Sequence, residues 1–182
     1  MVPLYPTAKT SDGELPHIAW RKLLLLLVIF CTSCDLSTKW LASRHLQYSA
    51  PIQIIPNWLE LRYTENNAIA FSMLGSVHSH IRKWIIYCLS GVAMTFLLVI
   101  IYQVRNDSIV WLASLMLILS GALGNLSERV VRGYVIDFIH FHYYDRFSWP
   151  VFNVADIFIT CGCILLAILM LKKSPKQSEI ES

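Results

Sequence analysis

Residues Trp84–Val104, WIIYCLSGVAMTFLLVIIYQV, and Ser108–Ser127, SIVWLASLMLILSGALGNLS, decide the class of fold. Neither stretch contains a charged residue, and only Arg105, Asn106 and Asp107 lie between them. A helix rises about 1.5 Å per residue, so about 20 apolar residues are needed to cross the hydrocarbon core of a bilayer. Two such windows joined by three residues predict an antiparallel pair of membrane-spanning helices with a tight turn.

Two further windows extend the pattern outward. Behind Arg21 and Lys22, Leu23 to Cys34 is uninterrupted apolar sequence. Twelve residues reach only about 18 Å, so this helix has to continue through Asp35 and Lys39 to about Ala42. The fourth window, Val154 to Leu171, is apolar apart from Asp156 and stops at Lys172 and Lys173. The expected spans are therefore 20–42, 84–104, 108–127 and 154–171. The connecting segments 43–83 and 128–153 then emerge on one face of the membrane. Tyr134 to His142 and Asn57 to Met73 mix β-branched and aromatic residues with alternating polar ones, which predicts strands. The expected fold is an all-α integral membrane protein of four transmembrane helices with a small β-containing cradle. Residues 1–19 and 172–182 read as mobile ends around one domain, 20–171.

Composition supports this class. Of 182 residues, 55% are hydrophobic and 15% charged, against about 25% charged in soluble chains. A formal charge of +3 with no basic run longer than two residues gives no footprint for nucleic acid. Cys31, Cys34, Cys88, Cys161 and Cys163 all lie in apolar stretches, which excludes a disulfide framework or a paired-cysteine zinc site. Basic residues divide evenly between the two faces, so charge does not orient the chain.

Ionisable groups near a bilayer are costly unless they face the bundle interior and find partners. Asp35 and Lys39, at i and i+4, are spaced for an ion pair. A simpler account has Lys39 snorkelling to headgroups. Gly121, Ala122 and Gly124 allow close helix approach and lead into Asn125, Glu128 and Arg129. Asp137 interrupts an apolar strand, Val135-Ile136-Asp137-Phe138-Ile139, and Asp156 follows Asn153 one turn into the last helix. A strand and a return loop between them could bring both aspartates to one depth. Two carboxylates in a poorly hydrated site share a proton, so one can activate water while the other polarises a carbonyl. Alternatively, Asp156 caps its helix and Asp137 pairs with Arg129 or Arg132.

Gly121-Ala-Leu-Gly-Asn-Leu-Ser-Glu-Arg129, Gly133 to Ile139, and Phe152-Asn-Val-Ala-Asp156 together resemble the signature of bacterial lipoprotein signal peptidase, or signal peptidase II. Asp35-Leu-Ser-Thr-Lys39 resembles the family's Asp-x-x-Thr-Lys motif, and Asn66 to Ser72 its Asn-x-Gly-Ala-Ala-Phe segment. The resemblance covers about residues 20–171. It implies an intramembrane aspartic endopeptidase that removes signal peptides from diacylglyceryl-modified prolipoproteins just before the lipidated cysteine, with no metal or organic cofactor. It implies a catalytic dyad of Asp137 and Asp156, substrate-binding roles for Asn66, Asn125, Arg129 and Asn153, and structural support from Asp35, Lys39 and Glu128. It also implies a bacterial cytoplasmic (inner) membrane location, cytoplasmic termini, a periplasmic cradle and a site near the outer leaflet. The expected partners are the lipid-modified prolipoprotein and membrane lipid, with the chain acting as a monomer. Two positions depart from the family pattern: Glu128, where Asp is usual, and Ala68, where Gly is usual.

Three other readings remain to be weighed. His78 and His80, and likewise His140 and His142, have the His-x-His spacing that directs two rings to one strand face, as a metal-dependent membrane hydrolase could use. No His-Glu-x-x-His motif accompanies them. Arg21 to Cys34 faintly resembles a lipoprotein signal peptide ending at Cys34, which would make the chain a non-enzymatic lipoprotein or scaffold. The three later spans argue against that. A serine protease lacks its Gly-x-Ser-x-Gly elbow.

Overall fold

The computed structural model describes residues 17–67, 79–106, 108–144 and 146–173. Four helices carry the bundle: α1 (His17–Leu46), α2 (Ser79–Gln103), α3 (Ile109–Arg132) and α4 (Val154–Lys173). Each is long and apolar enough to cross a membrane. The chain is thus a four-helix membrane protein, as the uncharged windows require.

In α1 the residues removed from the surface are Trp20, Leu24, Val28, Cys31, Asp35, Lys39, Ala42 and Leu46. Their spacing of three and four makes one stripe, which faces the bundle. Between them, Leu23, Leu25, Leu26, Ile29 and Phe30 are exposed on the outer side, the arrangement that suits a helix bathed in lipid. Lys39 is wholly buried, so it does not snorkel to headgroups; its partners within the bundle hold it there. The central helix is α3, which packs against both α1 and α4. Glycine makes that approach possible. A Cβ on Gly121 would sit 2.3 Å from the Ala155 carbonyl oxygen of α4, and one on Gly124 would sit 2.3 Å from Oδ2 of Asp35 on α1. Gly133 ends α3 with φ 85, and its N–H closes on the Arg129 carbonyl at 3.0 Å.

A four-stranded antiparallel sheet lies at one end of the bundle, built from β1 (Ile52–Ile55), β2 (Leu59–Asn66), β3 (Val135–Tyr143) and β4 (Phe147–Ser148) in that order. Pairing of β2 with β3 joins the two long connections. Ile136 and Phe138 pack on Ala42 and Leu46, fastening the sheet to the end of α1. After the turn at Tyr144 the chain runs back beside β3, with Trp149 N–H on Phe141 and Phe152 N–H on Ile139. That return delivers the start of α4 alongside Asp137. Trp58, Phe141, Tyr143, Tyr144, Phe147 and Trp149 form an exposed aromatic fringe on the sheet, the composition favoured at a membrane–water boundary.

One strand expectation is corrected. His80 lies in α2, so it does not belong to a strand face; His78 and Ala68 lie outside the described residues.

Candidate active site

The site forms where α1, α3, β2, β3 and the start of α4 meet. Asn153 is its hub. It precedes the first residue of α4, where backbone N–H groups lack helical partners. Its Oδ1 accepts the Asp156 N–H at 3.1 Å, and its own N–H donates to Asp156 Oδ2 at 3.1 Å. This reciprocal arrangement is a capping box, so the aspartate that opens α4 is also fixed in orientation. The Asn153 amide meanwhile donates to Asp137 Oδ1 at 2.6 Å and to Asn125 Oδ1 at 3.2 Å. One side chain therefore touches both carboxylate neighbourhoods.

Asp137 is buried and receives a second amide bond, from Asn66 Nδ2 to Oδ2 at 2.8 Å. Burial pushes its carboxyl up to about 6, with the neighbouring Asp156 charge adding to the rise; the bonds from Asn66 and Asn153 oppose it. Asp156 is half-buried, and its Oδ1 accepts Asn125 Nδ2 at 2.9 Å. The two carboxylates are thus differently housed. Asp137 sits among β-strand neighbours with little water, whereas Asp156 is partly open and supported by a helix end.

A charged layer lies behind them. Lys39 Nζ bonds Asp35 Oδ2 and Asn125 Oδ1, each at 2.8 Å, and lies 3.8 Å from Glu128 Oε2. Asp35 Oδ1 accepts the Ala155 N–H at 2.8 Å, so the first helix satisfies a backbone donor of the last. Glu128 accepts the Ile136 N–H at 2.7 Å and pairs with Arg132 at 3.3 Å. Arg132 is therefore engaged by Glu128, and Asp137 takes amide partners in place of an arginine. Arg129 is half-buried with its charge in the field of Asp156 and Asp137, while Tyr87 of α2 donates to its carbonyl at 2.8 Å. From Arg129 and Asn125 an apolar groove of about 480 Å³ runs between α2, α3 and α4, lined by Met94, Leu97, Ile118 and Ile159 among others.

A family model for signal peptidase (SPase) II matches residues 27–172. The chain belongs to the signal peptidase II family. Within this family's sequences, it is 39% identical over 159 residues to the lipoprotein signal peptidase of Acinetobacter baylyi, a match spanning 84% of this chain and 82% of that protein. It is 37% identical over 168 residues to the lipoprotein signal peptidase of Pseudomonas syringae pv. tomato, covering 92% and 94%. A bacterial membrane enzyme solved at 1.9 Å resolution superposes with a TM-score of 0.68 at 28% identity, covering 84% of this chain and 95% of that one.

In this signal peptidase II fold, the residues singled out in sequence converge: Asp35, Lys39, Asn66, Asn125, Glu128, Asp137, Asn153 and Asp156 form one connected set of bonds. Arg129 stands beside it. Sequence reasoning did not find the backbone N–H groups of Ala155 and Ile136, which two of the buried carboxylates satisfy, because backbone donors carry no residue signature. It also did not single out Tyr87 or Glu60.

Proposed function

We propose that this signal peptidase II chain is an aspartic endopeptidase that cleaves diacylglyceryl-modified prolipoproteins before the lipidated cysteine, with Asp137 and Asp156 as its dyad. The observation that carries the reading is the pair of differently housed carboxylates joined through Asn153, with Asn125, which bonds both Asp156 and Asn153, lining an apolar groove. Asp137, whose buried carboxyl favours the neutral form, holds the shared proton and donates it to the oxyanion that develops on the scissile carbonyl. Asp156 is the base that takes a proton from the attacking water. Asn66, Asn125, Asn153 and Arg129 offer donors and acceptors that can hold an extended peptide, while Asp35, Lys39 and Glu128 fix the helices beneath them.

The groove between α2, α3 and α4 suits an acyl-bearing, apolar substrate, since its walls are aliphatic and its polar end is at Asn125 and Arg129. In this reading the sheet faces the periplasm, both termini are cytoplasmic and the dyad lies near the outer leaflet of the inner membrane. The domain comprises residues 20–171 and works as a monomer. The test is cleavage by the purified chain of a diacylglyceryl-modified prolipoprotein beside its unmodified counterpart. Cleavage confined to the modified substrate is expected. Equal cleavage of both would remove the lipid requirement, and cleavage of neither would remove the peptidase assignment.

A further inference from the structure

A second cluster of reactive side chains lies on the sheet, away from the aspartates. Glu60 of β2 stands opposite His140 of β3, and His142 follows two residues along the same strand. Alternation puts His140 and His142 on one face of β3 and Asp137 on the other, about 10 Å back along the strand. Donor atoms of Glu60, His140 and His142 all lie within 4.8 Å of one another. His140 Nδ1 is 2.8 Å from Glu60 Oε1, and His142 Nε2 is 3.9 Å from Glu60 Oε2. The second separation is too long for a hydrogen bond but suits two ligands of one ion. Nε2 of His142 is buried without a hydrogen-bond partner. Such an atom is costly unless something else meets it.

The remaining ring nitrogens are already oriented. Ser148 Oγ lies 2.8 Å from His140 Nε2, and the Tyr144 carbonyl faces His142 Nδ1 at 3.5 Å. A proton on His142 Nδ1 leaves a lone pair on Nε2, the form a metal takes. The rings stack with centroids 5.1 Å apart, which limits their swing. Gln53, which donates to Glu60 Oε2, and Arg62, whose Nη1 lies 3.5 Å from Oε1, also approach the carboxylate. Arg62 is 45% exposed and has room to turn into water.

From this geometry we propose that Glu60, His140 and His142 form a binding site for a divalent transition metal of the zinc type. The ion is held by Glu60 carboxylate oxygen, His140 Nδ1 and His142 Nε2, with water or another small donor completing a tetrahedral set. The ion takes the place of the proton on His140 Nδ1, and the ring keeps its one proton on Nε2, where Ser148 Oγ lies at 2.8 Å to accept it. The site ties β2 to β3 and, through Ser148, to β4. It takes no part in peptide hydrolysis.

The experiment uses the full chain without a polyhistidine tag, in detergent, titrated with zinc chloride by calorimetry and with cobalt(II) by absorption. Saturable one-to-one zinc binding at micromolar concentration is expected, with a higher melting temperature and a cobalt spectrum free of thiolate bands. His142→Ala should weaken binding by about tenfold or more, and Arg62→Gln should tighten it by relieving repulsion. Exposed His45→Ala should change nothing, and cleavage by His142→Ala should match the parent. Absence of saturable binding, binding unaltered in His142→Ala, or thiolate bands from the cysteines would each overturn the site.

Discussion

Asparagine matches aspartate in size and still hydrogen-bonds, but it does not accept a proton from water. Asp137→Asn and Asp156→Asn should therefore each abolish cleavage while melting near the parent temperature. The double mutant should be hardly worse, because the two groups serve one transition state. More than about a tenth of parental turnover in either single mutant, under about 1.4 kcal/mol of lost stabilisation, would exclude the dyad. The housing of Asp137 sets a pH dependence. Its carboxyl is protonated below about 6 and loses the proton above it, so kcat/KM should fall as pH rises through that region, reporting the free enzyme. Folding stability has the same sign. The folded carboxyl lies above its ordinary 3.8, so its contribution is complete below that value and is lost as pH rises through about 6. Melting curves of Asp137→Asn should lack this component. Glu128 invites a different measurement. Glu128→Ala leaves the Ile136 N–H and Lys39 without that acceptor, at a cost of about 1 to 3 kcal/mol, whereas Glu128→Asp should keep most turnover. Complete loss of turnover in Glu128→Asp at unchanged stability would move this residue into the chemistry.

Among the elements, α3 is held by what its glycines leave out. An alanine at 124 would bring Cβ within 2.3 Å of the Asp35 carboxylate, displacing the group that binds both Lys39 and the Ala155 N–H. Gly124→Ala should lower the melting temperature and turnover together, although it adds a single methyl to a helix that would otherwise welcome alanine. Unchanged values for both would show that α1 and α3 are not locked at this level. The small-residue stretch was legible in sequence as a seam, since only close helix contact explains glycines there. Which partner filled each gap was not legible, because spacing within α3 says nothing of the rotation of α1 or α4. Strand character over Tyr134 to His142 was also readable from alternation, and β3 runs one residue later at each end, Val135–Tyr143. Its register against β2, which sets Asn66 beside Asp137 and Glu60 beside His140, depends on a long-range pairing with an irregularity between Leu61 and Thr64. No local pattern encodes that irregularity.

For the molecule as a whole, four apolar windows were enough to give the architecture, because a bilayer leaves few alternatives to spanning helices. Orientation was not available from charge, since basic residues are balanced across the two faces. The proposed topology makes a direct prediction. Reporter fusions near Arg105 and after Lys173 should read as cytoplasmic, and fusions near Gln53 and Tyr144 as external; a cytoplasmic Tyr144 would reverse the site's assigned leaflet. The bond between Asp35 Oδ1 and the Ala155 N–H also bears on when the site comes into being during synthesis. The ribosome delivers α1 first and α4 last, and Asp156 acquires its setting only when Asn153 and Ala155 reach Asp35 and Asn125. On the proposed dyad, a nascent chain halted before the final span holds Asp137 without Asp156, so proteolytic competence arrives with the last insertion step.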